Sequence, residues 1–96
     1  MTPDKIFEAI EEETGVSKRE ILGECKWMHI SQARIAAMYL CRTLCRMSYP
    51  TIGIIFDGRD HSTIMHALNR KRRNNDWRTQ IVPAVLAKLG IDDKAA

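Results

Sequence analysis

Ile30, Ala33, Ala37, Leu40, Leu44 and Met47 recur at alternating spacings of three and four, a sustained apolar stripe that predicts a long buried helix over roughly residues 30–47. Shorter patterns surround it. Thr2 and Pro3 suit the N-cap and first position of a helix whose apolar side is Ile6, Phe7 and Ile10, and Gly15 ends it. Ser17-Lys18-Arg19-Glu20 has the form of a capping box, with Val16 and Ile21 at the positions of a hydrophobic staple, so a second helix runs to about Leu22 and stops at Gly23. Beyond the long helix, Pro50 opens a short one with Ile52, Ile55 and Phe56 on its apolar side, preceded by Ser48 or Tyr49.

Asp57-Gly58 then marks a tight turn, and Asp60 is placed to cap the next helix by accepting the Thr63 N–H. That helix is amphipathic through Arg73. Ile64, Ala67 and Leu68 share its back with the stem of Lys71, while Ser62, His66, Asn69 and Arg73 face the other way, flanked by Thr63 and Arg70. Asn74-Asn75-Asp76 reads as a loop. A last stripe of Trp77, Ile81, Val82, Val85, Leu86 and Leu89 contains Pro83, which predicts a kink or a late start; Gly90 ends it, and the tail from Asp92 should fray. The expected fold is all-α, a domain of about six helices over residues 1–96.

Composition narrows the function classes. Ninety-six residues at 45% hydrophobic content describe one folded domain, able to bury roughly 60–65% of its unfolded surface. No apolar run approaches the ~20 residues needed to span a bilayer and the start lacks a signal-peptide core, so the expected location is cytoplasmic. Three cysteines match no disulfide framework. Cys41, Cys45 and His29 make a poor metal set, short of four ligands and without a C-x-x-C, so the thiols are expected reduced in or near the core.

Charge is unevenly spread. Residues 1–24 hold three cations against seven carboxylates, whereas residues 25–78 hold ten cations against Asp57, Asp60 and Asp76. An acidic lead-in and a basic centre suggest a face for a polyanion. The Glu11-Glu12-Glu13 run is expected as a solvated face. Arg34, Arg42 and Arg46 lie off the long helix's buried stripe, on one side, where phosphate contact is as reasonable as solvation. A short helix, a glycine turn and a helix with small polar residues at its start form the plan of a helix-turn-helix, with residues 60–73 as recognition helix.

The segment Gly58-Arg59-Asp60-His61-Ser62-Thr63-Ile64-Met65-His66-Ala67 closely resembles the signature of the DnaA C-terminal domain. The resemblance runs back through Pro50-x-x-Gly53, the long helix and the I-x-x-x-x-G-V-S opening, over roughly residues 6–89. It implies an all-helical module of the Trp-repressor type that binds the short duplex motif called a DnaA box. By that resemblance Asp60, His61 and Ser62 reach bases in the major groove, and Thr63, Pro50, Arg34 and Arg42 sit against the DNA backbone, with Arg59 and His66 as further backbone contacts. A basic loop before the long helix reaches the minor groove, and its key arginine falls on Lys26.

This chain departs from that pattern in three ways. Its loop reads Glu24-Cys25-Lys26-Trp27-Met28-His29, far less basic than the family's, and lysine is a poorer minor-groove probe than arginine. Ser62 stands where the family often has threonine, losing a methyl that could touch a thymine. No G-x-x-x-x-G-K-[ST] occurs, so a stand-alone module without the ATPase domain, and without nucleotide or other cofactor, is expected.

The expected partner is double-stranded DNA, in a small regulator of replication or transcription; replication-initiation proteins are further candidate partners. The alternative is a protein-interaction module that kept the fold and regulates the replication machinery without tight DNA binding, as the eroded loop and acidic first helix would suit. An enzyme is disfavoured. His61 and His66 lie about 140° apart on a helix and converge on nothing, Asp60 is explained as a cap, and partial packing on the helix flank suits His66 as well as DNA contact does. Trp27 and Trp77 are expected to cover the ends of the core.

Overall fold

A computed structural model of the chain describes residues 1–69 and 76–91. Within them the backbone forms helices α1 (Pro3–Thr14), α2 (Lys18–Leu22), α3 (Met28–Thr43), α4 (Tyr49–Ile55) and α5 (His61–Asn69), a π-helical turn over Trp77–Ile81, and helix α6 (Val82–Leu89). No strand occurs among the described residues, as an all-α domain requires. Arg70, Lys71, Arg73, Asn74, Asn75 and the tail from Asp92, all given roles from the sequence, lie outside the described residues.

Local signals set most boundaries. The capping box forms: Ser17 Oγ accepts the Glu20 N–H at 3.2 Å and the Glu20 carboxylate accepts the Ser17 N–H at 3.2 Å. Val16 and Ile21 are both buried, consistent with the staple. Gly15 closes α1 in the left-handed region, its N–H reaching the Glu11 carbonyl. Thr2, by contrast, makes no side-chain capping bond, so Pro3 alone shapes that start. Ser48, not Tyr49, caps α4, accepting the Thr51 N–H at 3.3 Å.

Helix α3 is the central element, packing against α1, α2, α4, α5 and the π turn. Its buried face holds Ile30, Ala33, Ala37 and Leu40. The helix stops at Thr43, short of the expected Met47. Arg46 turns left-handed (φ 54°), and the Met47 N–H returns to the Cys41 carbonyl at 3.3 Å. Leu44 and Met47 remain half-buried after the helix has ended, which is why the apolar spacing outruns it. Arg42 fastens this corner, donating to the Met47 carbonyl at 3.0 Å while its guanidinium lies 4.5 Å from the centre of the Tyr49 ring.

Phe7 of α1 meets Phe56 at 5.7 Å between ring centres, joining the first helix to the end of α4. Full burial of a phenylalanine stabilises by about 1.5–3 kcal/mol, so this pair is a principal link between the N-terminal helices and the helix-turn-helix. The glutamate run of α1 is exposed as expected, with Lys88 of α6 3.9 Å from Glu12 and Glu13.

Pro83 has the effect anticipated for it. A proline ring collides with the carbonyl four residues earlier in an unbroken α-helix, here that of Thr79. The chain instead makes a π turn, with the Val82 N–H bonding to the Trp77 carbonyl, and α6 begins after it. Trp77 is 2% exposed. Its backbone N–H donates to the buried Gln32 Oε1 at 2.9 Å, and its ring packs 5.4 Å from Tyr39. Trp27 does not do the same job at the other end, being 70% exposed. The Cys41 thiol is buried, and burial, with Cys45 adding to it, pushes its pKa up to about 12.

Candidate nucleic-acid interface

The recognition helix is presented by a turn built on two adjacent left-handed residues, Asp57 (φ 64°) and Gly58 (φ 72°). Glycine tolerates this and aspartate is among the few side chains that do. The turn closes when the Arg59 N–H donates to the Gly53 carbonyl at 2.9 Å. At the same place α4 passes so near the turn that a Cβ on Gly53 would overlap the Arg59 carbonyl oxygen. Only glycine fits there.

Asp60 precedes α5 and caps it, but through a different amide from the one expected. Its Oδ1 accepts the Ser62 N–H at 2.7 Å rather than that of Thr63. Both geometries satisfy a free donor of the first turn. Ile64 and Leu68 anchor the helix in the core, with Ala67 half-buried beside them. His61, Ser62, Thr63, His66 and Asn69 are exposed, and so is Met65, which the sequence pattern had not singled out. His61 Nδ1 lies 3.7 Å from Asp60 Oδ1, so the two side chains share the tip of the helix.

A groove of about 600 Å³ separates this helix from the loop between α2 and α3. Thr63 and Ala67 line one wall, Glu24 and Lys26 the other, with Arg34 and Arg59 also lining it. The structure therefore brings Lys26, Arg34, Arg59 and Thr63 together around one concavity. Arg42 and Pro50 lie apart from it, at the α3–α4 corner.

Two of the arginines are engaged within the fold. Arg34, expected against phosphate, is 7% exposed. Its Nε donates to the Ile21 carbonyl at 2.7 Å, Nη1 to Cys25 at 2.9 Å and Nη2 to Glu20 at 3.0 Å. A guanidinium fork is filling the carbonyl end of α2, where helix carbonyls lack partners. Burial lowers its pKa below the ordinary arginine value, and the charge of Arg59 acts in the same direction. Arg59 in turn donates to the Phe56 carbonyl at 3.0 Å and to the Gly23 carbonyl at 2.7 Å, tying the turn to the α2–α3 loop. The resemblance assigns Arg34 to the DNA backbone; in the folded chain its guanidinium bonds three carbonyls of the α2 end and the loop that follows. Nothing in the sequence marked it, because arginine beside an apolar stripe reads the same whether its head meets water or carbonyls.

The family can now be assigned. A family model described as the bacterial DnaA protein helix-turn-helix matches residues 3–70, a span that includes α1 to α5 and the loop. The chain belongs to the bacterial DnaA helix-turn-helix family. It is 41% identical over 73 residues to the chromosomal replication initiator protein DnaA of Cutibacterium acnes, covering 76% of this chain and 14% of that protein. It is 36% identical over 74 residues to the DnaA of Corynebacterium jeikeium, covering 77% and 13% respectively. With the DnaA of a Picosynechococcus strain the identity is 41% over 68 residues, covering 71% and 15%. The chain therefore spans only about a seventh of the length of these DnaA relatives. The DnaA likeness is to the helix-turn-helix module, and no described helix is long and apolar enough to cross a membrane.

Proposed function

We propose that this DnaA-family chain binds duplex DNA with sequence preference for DnaA-box-type sites. The observation that carries the reading is the N-terminal turn of α5, where Asp60, His61, Ser62 and Thr63 are all exposed on a helix clamped from behind by Ile64 and Leu68. In a helix laid into the major groove, that turn stands nearest the base edges. Asp60 spends one carboxylate oxygen on the cap, leaving the other to accept from a base amino group. His61 and Ser62 are then base readers, and Thr63, facing the groove beside Lys26, contacts the backbone.

Lys26 is the cation that reaches the minor-groove side, and Arg42, Pro50 and His66 flank the phosphates. Arg59 serves the site by holding the loop to the turn. The DnaA relatives are named as replication initiators, so replication is the favoured setting, with regulation of replication or transcription as the role of this module.

A titration against a DnaA-box duplex and a scrambled duplex across a salt series tests the reading. Tighter binding to the box at every salt is expected; equal affinity for both would remove base readout. Replacing His61 and Ser62 together by alanine should lower box affinity by at least about thirtyfold while leaving scrambled binding unchanged, at ~1–3 kcal/mol for each of two good base contacts. Lys26→Ala should weaken both duplexes and flatten the plot of log affinity against log salt by ~0.9, the share of one phosphate; an unchanged slope would place Lys26 away from the DNA.

A second reading, a protein-interaction module regulating the replication machinery, is favoured by one surface. Ile54 of α4 is 77% exposed, beside a groove lined by Arg19, Leu22 and Ile55. On that reading the His61/Ser62 double replacement leaves function in cells intact.

A further inference from the structure

Ile54 is the most exposed large hydrophobic side chain among the described residues. Ile52 and Gly53 take the inner side of the same short helix, which leaves Ile54 on its outer side. A groove of about 440 Å³ lies beside it, lined also by Arg19, Leu22, Gly23, Ile55 and Asp57. Leu22 and Ile55 border a second groove, of about 320 Å³, that reaches Pro3 and Phe7 of α1. Together the two make one apolar strip across α4, α2 and α1.

The charges on this strip have both signs. Arg19 and Asp57 are exposed at the first groove, and neither forms an ion pair among the described residues. Lys18 and Asp4, at the second, pair with each other at 3.0 Å. A projecting apolar side chain thus stands beside an apolar recess, between one free cation and one free anion. Such a patch is complementary to itself. A twofold axis through it sets Ile54 of each copy into the other's recess and each Arg19 opposite the other's Asp57, because an isologous contact is made twice. A partner surface of one sign would instead face Arg19 or Asp57 with its like, which costs binding. For the same reason the outer side of α1, with Glu8, Glu11, Glu12 and Glu13 exposed, repels its own copy.

We propose that the α2–α4 face is a self-association surface on which a second copy of this chain docks through Ile54, Arg19 and Asp57. The inference rests on reading that face as a protein-docking surface and is independent of duplex binding. None of the residues lining the Ile54 groove lines the groove beside α5, so a pair leaves the latter open in both copies. Asp57 belongs to the recognition turn, and the Gly23 carbonyl is tied to Arg59 of that turn at 2.7 Å. Pairing therefore sets two recognition helices in a fixed relation. A patch of this extent falls at the weak end of protein interfaces, so the chain is monomeric in dilute solution and pairs as its concentration rises.

The test is sedimentation velocity on the full chain from micromolar to millimolar concentration, with Ile54→Glu, Arg19→Glu and Arg19→Glu/Asp57→Asn. Wild-type mass should rise from 11.0 kDa towards twice that value. Ile54→Glu should stay monomeric while melting like wild type in dilute solution, because pairing would bury its carboxylate at the centre of the contact. Arg19→Glu should weaken association at least about tenfold by setting like charges face to face. Adding Asp57→Asn, which the left-handed backbone there tolerates, should recover part of that loss. A wild-type chain of monomer mass at every concentration, or an Ile54→Glu variant that associates equally well, would overturn the inference. So would a double variant no better than Arg19→Glu alone. A monomeric chain captured by a different protein through Ile54 would give the face to that protein and overturn the second-copy assignment as well. Affinity for a DnaA-box duplex in dilute solution should be the same for Ile54→Glu and wild type. If neither binds duplex, the proposed DNA-binding function fails while self-association stands on its own result.

Discussion

Replacing Gly53 by alanine is expected to destabilise the domain by about 2 kcal/mol, although alanine is the better helix former. Propensity alone would favour the change by roughly 0.5–1 kcal/mol at an interior helix position. Against it stands the new methyl, which would overlap the Arg59 carbonyl oxygen. That oxygen belongs to the backbone of the recognition turn and cannot swing away as a side chain would. Relief requires α4 to separate from the turn, stretching the bond from the Arg59 N–H to the Gly53 carbonyl and shifting Arg59 from the α2–α3 loop. Overpacking of this kind costs about 1–3 kcal/mol or more. The net loss should appear as a melting temperature lowered by about 10 °C, since 1 kcal/mol corresponds to ~4–8 °C in a domain this small. Ile54→Ala is the matched control, one residue away on the same helix with its side chain exposed, and should melt within about 3 °C of wild type. A Gly53→Ala variant as stable as that control would show that the close approach is not maintained in solution. Variant protein that still folds should bind the DnaA-box duplex at least about tenfold more weakly, because displacing the recognition turn misplaces every reader beyond it and one good base contact is worth ~1–3 kcal/mol.

What the sequence made legible follows the range of the forces involved. The capping box at Ser17, the stop at Gly15, the Asp57-Gly58 turn and the apolar back of α5 are settled within a few residues, and spacing alone reveals them. The helix-turn-helix followed from putting such local signals in order. Elements decided by long-range packing did not show. Gln32 is a polar residue beside a buried stripe until Trp77, forty-five positions away, supplies its partner. The glycine at position 53 was legible as part of a motif, but its reason is a backbone contact with Arg59 that no local pattern encodes. Trp27 inverted its expectation because size and hydrophobicity argue for burial, while a short loop leading straight into α3 gives the ring nothing to cover. The candidate DNA-reading turn, Asp60 to Thr63, was the most legible part of the site, being continuous in sequence. The groove beside it joins residues from four segments and could only be seen folded.

The largest loss is expected from Arg34→Met. Methionine keeps much of the apolar stem and its volume but leaves the carbonyls of Glu20, Ile21 and Cys25 without the guanidinium that bonds all three. Glu20 retains a partner, because its carbonyl also accepts the Gly23 N–H at 3.3 Å. The other two lose the donors that Arg34 supplies, at about 1–3 kcal/mol for each group left buried and unsatisfied. The expected sum, roughly 2–6 kcal/mol, is a large share of the ~5–15 kcal/mol by which domains are stable. Relief from desolvating the charge offsets part of this, and burial already lowers the Arg34 pKa. The offset is incomplete because removing one member of a buried charged network strands the others. Arg34→Lys should recover little, since one ammonium cannot span three carbonyls as a planar fork does. Urea unfolding of the free protein decides between the internal role and a phosphate contact. A phosphate contact predicts an unchanged midpoint and a flatter salt dependence of DNA binding. The carbonyl-clamping role predicts a lower midpoint without any DNA present. In the second case the α2–α3 loop should also loosen, seen as faster amide exchange over residues 23–27, which would carry Lys26 away from the groove and weaken DNA binding indirectly.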